Sequence, residues 1–242
     1  IRDRSPSRGL GDVYKRQVFN GAGKELRWDG TIVAAVAADT PEQAEDGVRA
    51  IKVAYETKPH WVDEEDLPGA TAAAGKRTKP LGDNKKGDVA AALKAAKHVH
   101  KGYYGIATIS HMCLETHGSH CEWDGEDKLN VHLSTQNVSG TGGQFAGPLG
   151  IDASNVSLTC NYIGGGFGSK FAADEWGVAC AQLAKKAGKP VRLMLDRATE
   201  LKIGGTRPSG FAEVTIAADA EGNITCLLYT SPSPRDGLLS RM

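Results

Sequence analysis

The chain has 242 residues, 40% of them hydrophobic and 24% charged, with 29 basic residues balanced by 29 acidic ones. That composition belongs to an ordinary globular protein with room for one large domain or two small ones. Zero formal charge offers no electrostatic footprint for nucleic acid or an anionic surface, and no apolar run approaches the length of a membrane span.

The two ends are unusual. Ser7 to Gln17 reads SRGLGDVYKRQ, and Cys226 to Asp236 reads CLLYTSPSPRD. A single DNA segment encodes the first on one strand and, read one base over on the other strand, the second. Both ends are therefore expected to be adapter-derived, and residues 1–17 and 226–242 are set aside as non-native tails that should pack poorly. With Cys226 set aside, the cysteines are Cys113, Cys121, Cys160 and Cys180. None has C-x-x-C spacing, which argues against a structural zinc or an iron–sulfur cluster within the chain. Buried small hydrophobes in a reducing compartment are the expectation.

Thr31 to Ala38 is a β-branched and alanine run that reads as a strand. Thr40-Pro41-Glu42-Gln43 then predicts a helix start: a capping hydroxyl, proline at the first position and a capping-box glutamine. Ala44, Val48 and Ile51 fall on one face, and Lys52 to Glu56 reads as a returning strand. Residues 57–86, with their prolines, glycines and Lys76, Arg77 and Lys79, read as a linker. Asp88 should cap an alanine-rich helix ending near Ala96, followed by a strand over residues 99–108.

His111 to Cys121 is the densest chemical stretch, with His111, Cys113, Glu115, His117, His120 and Cys121. No three of these stand at a recognised zinc spacing. A core strand with locally bonded polar groups is the expectation, and Glu115 as a general base is the alternative. Asp124-Gly125 marks a turn. Leu129, Val131 and Leu133 then alternate with polar residues, giving a half-buried strand that ends at Ser134-Thr135-Gln136-Asn137. A helix should begin near Ser139.

Val156, Leu158 and Cys160 alternate into Ile163-Gly164-Gly165-Gly166-Phe167-Gly168-Ser169-Lys170. Four glycines in five positions remove the Cβ atoms and open the backbone N–H groups to an anion or a metal-oxo group. A phosphate loop would need glycine before the lysine and a hydroxyl after it, and Ser169 and Phe171 stand there instead. A dinucleotide fingerprint fails at Ser169. A glycine-rich turn without a ligand stays open on composition alone. Asp174 to Ala187 should be an amphipathic helix burying Trp176, Cys180, Leu183 and Ala184, stopped by Gly188 and Pro190. Val191, Leu193 and Leu195 form a strand, Arg197 and Glu200 lie in a polar stretch, and Phe211 to Ala217 is the last strand, followed by a turn at residues 219–222.

Gly-Gly-Gly-Phe-Gly-x-Lys, following a strand that ends in Ser-Thr-Gln-Asn, resembles the molybdenum-binding subunit of the xanthine dehydrogenase / aldehyde oxidase family. GTIVAAVAADTPEQA (from Gly30), HMCLETH (from His111) and GKPVRLMLDR (from Gly188) match in the same order, over most of residues 28–208. The resemblance implies an α+β fragment: part of a small α/β hammerhead-like domain with its linker over 18–84, then part of a molybdopterin-binding domain over 85–225. It implies a molybdopterin cofactor, in the cytosine dinucleotide form of bacterial relatives, and iron–sulfur and FAD partner subunits. The implied reaction is oxidation of an aldehyde or N-heteroaromatic carbon with oxygen from water.

Carried over by position, Gln136 matches the amide that bonds a molybdenum oxo group. Gly165, Gly166, Phe167 and Gly168 match the loop whose backbone contacts the cofactor. Phe171 stands where purine-oxidising relatives carry a substrate-binding glutamate, which disfavours a purine. The family's catalytic glutamate lies downstream of these residues, so no catalytic base and no direct protein ligand to the metal is expected here. A cytoplasmic or periplasmic location of bacterial type is implied, without a choice between them. The rival readings are a homologue that keeps the fold without catalysis and a nucleotide-binding module using the glycine loop.

Overall fold

A computed structural model describes residues 17–19, 25–26, 29–58, 69 and 85–230. The fold is α+β and divides into two compact units, one of residues 1–55 and 110–205, the other of residues 56–109 and 206–242. Each unit is assembled from two separate stretches of the chain.

The strands are β1 (Gln17–Phe19), β2 (Ala34–Val36), β3 (His98–Ile106), β4 (Ile109–Ser110), β5 (Gly118–Asp124), β6 (Lys128–Leu133), β7 (Val156–Thr159), β8 (Val191–Met194), β9 (Thr206–Arg207), β10 (Gly210–Ala218) and β11 (Ile224–Thr230). The helices are α1 (Pro41–Ala50), α2 (Val89–Ala95), α3 (Val138–Leu149), α4 (Asp174–Ala187) and α5 (Arg197–Ile203).

The first unit is built on a four-stranded sheet in the order β7-β6-β5-β8, with β6 and β7 parallel and the other neighbours antiparallel. Its strands alternate as the sequence predicts. Leu129, Val131 and Leu133 are buried while Lys128, Asn130 and His132 face out. One face is thus covered and the other is polar, the usual state of a largely antiparallel sheet. The covered face carries α4, which buries Trp176, Cys180, Leu183 and Ala184 as expected. Trp123 of β5 donates its indole N–H to Ala181 O at 2.8 Å, and the Lys185 ammonium sits 4.4 Å from its ring centroid. Phe145 of α3, fully buried, fills the space above Gly177 of α4. Both long helices end on a left-handed glycine, Gly150 at φ 69° and Gly188 at φ 60°, the conformation glycine adopts without steric cost.

The caps follow the sequence closely. Thr40 Oγ1 accepts from Gln43 N, Asp88 from Ala91 N, and Asn137 from Gly140 N. Other expectations are corrected. Val48 is 52% exposed, and the buried residue of α1 is Gly47. Residues 52–56 form no strand. Residues 111–117 are not a strand either: the extended run begins only at Gly118, after Met112 turns through φ 49°. Arg197 and Glu200 lie in a helix, α5, capped by Asp196 through Thr199 N at 2.8 Å. The linker of residues 57–86 falls mostly outside the described residues.

The second unit contains a three-stranded antiparallel sheet, β11-β10-β3, with α2 against β11. Here the expectation for the C-terminal tail is corrected in part. Cys226 to Thr230 are ordered in β11, Ala217 pairs with Cys226, and Cys226 is only 7% exposed. The turn at residues 219–222 returns the chain beside β10. A run of apolar and β-branched residues satisfies the ladder whatever its origin. Gln17 likewise pairs with Val36. Residues 1–16 and 231–242 lie outside the described residues.

Candidate functional site

The glycine loop runs between β7 and α4, in the first unit. It is held from below by three segments that sequence distance keeps apart. At its entrance, Gly164 N donates to Glu115 Oε2 at 2.6 Å, and Glu115 N donates to Gly164 O at 3.2 Å. In its middle, Gly168 N donates to Gln136 Oε1 at 2.9 Å, and Lys170 N approaches the same oxygen at 3.4 Å. At its exit, His117 Nε2 lies 3.1 Å from Ser169 O. Gln136 N donates to Lys170 O at 2.7 Å, which fixes the strand end against the loop.

These contacts decide how Gln136 points. Two backbone N–H groups face its side chain, so the atom turned toward the loop is the carbonyl oxygen. The NH₂ group is left directed outward on an exposed residue, with no partner among the described residues. A Cβ on Gly166 would overlap the Gln136 side chain, so glycine there permits the approach. Gly165 and Gly168 stand at φ 97° and 98°, a region closed to ordinary side chains. Phe167 stands at φ 52° and is 73% exposed. A bulky residue with positive φ is an outlier, the kind of local strain that gathers at functional sites. The loop amides of Gly165, Gly166 and Phe167 have no partner among the described residues.

The structure therefore brings Gln136, Gly165, Gly166, Phe167 and Gly168 together, as the sequence expects. Phe171 joins them through its carbonyl, which accepts from Asn137 Nδ2 at 3.4 Å, and its ring is half-exposed. A cleft of about 450 Å³ opens between α3 and α4, lined by Gln144, Ala173, Asp174, Glu175 and Gln182, with none of the loop residues in its wall.

The residues of 111–117 bond across the fold rather than locally. The Lys170 ammonium, 0% exposed, donates to Glu115 O at 2.8 Å and Ser134 Oγ at 2.7 Å, and lies 3.5 Å from Glu115 Oε2. Ser134 Oγ in turn donates to Glu115 Oε2 at 2.9 Å. Burial pushes the Glu115 carboxyl up, but the Gly164 N–H, the Ser134 hydroxyl and the Lys170 charge outweigh it and hold the group below its ordinary value. A carboxylate so satisfied is a weak base, which favours the anchoring role over general base catalysis. A depressed folded-state pKa contributes stability that is present above the unfolded value and lost as pH falls through the folded one. Among the described residues no group of three His, Cys, Asp or Glu could hold a metal ion.

His117 and Glu200, 2% and 5% exposed, form a second buried pair. His117 Nδ1 lies 2.9 Å from Glu200 Oε1, and His117 N donates to Glu200 Oε2 at 2.8 Å. Trp176 packs edge-on against the imidazole at 5.3 Å between centroids. Sequence reading missed Lys170, Ser134 and Glu200 as members of this network. The only available signal was a charged residue directly after an apolar-flanked glycine run and another inside a capped seven-residue helix.

Asp174 opens α4 at φ 56°. Burial pushes its pKa up to about 6, against the pull of His117, and Glu175 adds to the rise. The neutral form is favoured in the folded chain, so stability falls as pH rises from the unfolded value through the folded one. We expect Asp174→Asn, which tolerates the same backbone, to stabilise the chain by ~1–3 kcal/mol near neutral pH and to gain little at about pH 4. Urea unfolding at the two pH values measures this.

The fold and a glycine loop braced by a strand-end amide define a cofactor-cradling α+β domain. A family model for the molybdopterin cofactor-binding domain matches residues 72–231, and the chain belongs to that family, within the xanthine dehydrogenase and aldehyde oxidase group. It is 32% identical over 205 residues to mouse xanthine dehydrogenase/oxidase, covering 84% of this chain and 15% of the mouse protein. It is 29% identical over 199 residues to the Escherichia coli K12 aldehyde oxidoreductase molybdenum-binding subunit PaoC, covering 82% of this chain and 27% of that subunit. The structure resembles quinoline 2-oxidoreductase from Pseudomonas putida 86, with a TM-score of 0.72, 23% identity, and coverage of 84% of this chain and 26% of that one. The chain spans well under a third of the length of these relatives.

Proposed function

We propose that this chain is the part of a molybdenum hydroxylase large subunit that carries one side of the molybdopterin site. The observation that supports this best is the arrangement at the loop. The Gln136 amide is pinned by its oxygen, beside backbone N–H groups of Gly165, Gly166 and Phe167 that have no partner among the described residues. Uncharged donors converging from a rigid base suit an oxo group or other anionic oxygen. When bound, the cofactor supplies a Lewis-acidic metal that activates water and accepts two electrons. The chain's own contribution is positional: Gln136 donates from one side, the loop amides from the other, and Phe171 presents an apolar ring.

That ring accepts no hydrogen bond from a purine edge, so an aldehyde or an N-heteroaromatic carbon is the proposed substrate class. The cytosine dinucleotide form of the cofactor, with iron–sulfur and FAD partners, is proposed from the family resemblance. So is the division into a partial hammerhead-like domain over 18–84 and a partial molybdopterin-binding domain over 85–225, between non-native tails. No helix among the described residues is long and apolar enough to cross a membrane; compartment stays open between cytoplasm and periplasm.

A nucleotide-binding module is the weaker reading. The loop does not open directly onto a helix, and α4 begins with Asp174 and Glu175 in its first turn, where a phosphate would meet like charge.

The test is to purify the chain and Gln136→Leu from a host that assembles molybdopterin and to quantify released pterin and molybdenum. Pterin retained by the parent chain, reduced about tenfold in Gln136→Leu as expected for losing one hydrogen bond to a charged group, supports the proposal. Equal retention by both, or none by either, overturns it.

A further inference from the structure

The geometry points to Lys170 as a positioning residue that presets the glycine loop, acting through Glu115 and Ser134, before any cofactor arrives. The inference concerns the same loop as the proposed cofactor site, and its test needs no cofactor.

Lys170 is fully buried. A lysine taken wholly out of water is costly unless its charge and its three N–H groups are met. All the partners that meet them belong to the loop's supports. Ser134 Oγ, at 2.7 Å, lies two residues before Gln136. Glu115 O, at 2.8 Å, belongs to the segment that also grips Gly164. Glu115 Oε2, at 3.5 Å, supplies the countercharge. The same Oε2 accepts from Gly164 N and from Ser134 Oγ, so one carboxylate oxygen joins the loop entrance, the strand end and the ammonium. The Lys170 backbone closes the ring, because its carbonyl accepts from Gln136 N at 2.7 Å and from Thr135 Oγ1 at 3.2 Å.

Segments 113–117, 134–137 and 164–170 thus meet at one ammonium. A loop of four glycines has little conformational preference of its own. A charge-assisted network around a fully buried ammonium supplies the preference, because an unmet charge there is expensive. Glu115 and Lys170 are read here as a unit that spares the cofactor the work of ordering the loop.

The experiment is NMR on the isotope-labelled 242-residue chain, reading amide exchange at Gly164 and Gly168 and the titration of the Glu115 carboxyl carbon. In the parent chain both amides should exchange slowly and Glu115 should titrate below its ordinary value. In Lys170→Met, which keeps the stem and loses the charge, both amides should exchange about tenfold faster, and the Glu115 titration should move up. Val131, in the middle of β6, should keep its protection. Lys170→Arg, which retains a cation, should hold Glu115 low. If Lys170→Met does not fold, Glu115→Gln is the second variant; it keeps an acceptor and should speed Gly164 several-fold. Loop amides that exchange freely in the parent chain, or protection and Glu115 titration unmoved by the variants, overturn the inference. A chain that retains no pterin but shows the protected loop refutes the proposed function and leaves the clasp standing.

Discussion

Expressed in a host that assembles molybdopterin, the chain by itself should give no turnover of any aldehyde in a dye-reduction assay. Among the described residues the loop presents donors and no free carboxylate that could act as base. Glu115, the carboxylate nearest the loop, is consumed by Gly164 N, Ser134 Oγ and Lys170, and is held in its charged form as an acceptor. By family resemblance the catalytic glutamate lies downstream of these residues, and its absence removes a contribution of about 10²–10⁴ in rate. Cofactor retention should be partial, with measurable pterin but well below one per chain. One face of donors leaves the pterin and its phosphates open to water, and affinity depends on burial with satisfied polar groups. Measured turnover together with one molybdenum per chain would show that the site is complete within these residues and that the placement of the base is wrong.

Glu200→Ala should be a highly damaging single change to the first unit, at roughly 2–6 kcal/mol, because two buried donors left unmet cost about 1–3 kcal/mol each. The carboxylate accepts from both the backbone N and the ring of His117. Its removal leaves two buried donors unmet and frees the ring that reaches Ser169 O. Since whole domains are stable by only about 5–15 kcal/mol, the variant should unfold at a much lower denaturant concentration. Glu200→Gln, which keeps an acceptor of the same shape, should recover part of the loss. Equal midpoints for the parent and the alanine variant in urea unfolding, followed by tryptophan fluorescence, would refute the pair's importance. Trp176 lies against His117, so its emission reports on this part of the fold.

Much of this architecture is legible in the residues because it is set locally. Thr40, Asp88 and Asn137 cap helices with their own side chains, and a cap needs only the next three residues. The alternation of Leu129, Val131 and Leu133 and the helical stripe of Trp176, Cys180, Leu183 and Ala184 reflect single buried faces, which periodicity records. The glycine loop is legible for the same reason: Gly165 and Gly168 hold backbone angles that other residues avoid.

Most departures involve partners distant in sequence; α5 is the exception, since its cap Asp196 bonds Thr199 N three residues on. Residues 52–56 have strand-like composition but pair with no strand, while Cys226 to Thr230 found an edge beside β10 and became one. Propensity names candidates for a ladder; only the tertiary fold decides which edges are free. The stretch His111 to His117 offered a list of chemical groups whose spacing suggested a strand with local bonds. Their partners, Gly164, Lys170 and Glu200, lie 49 to 83 residues away, a distance at which no local pattern carries information. By itself, then, the sequence determined helices α1 to α4, the caps at Thr40 and Asp88, the one-sided sheet and the presence of a glycine loop beside a strand-end amide. The tertiary structure decided that buried Lys170, His117 and Glu200, with part-exposed Glu115, brace that loop, because a buried polar group must be paired and the pairing is made wherever the folded chain places a partner.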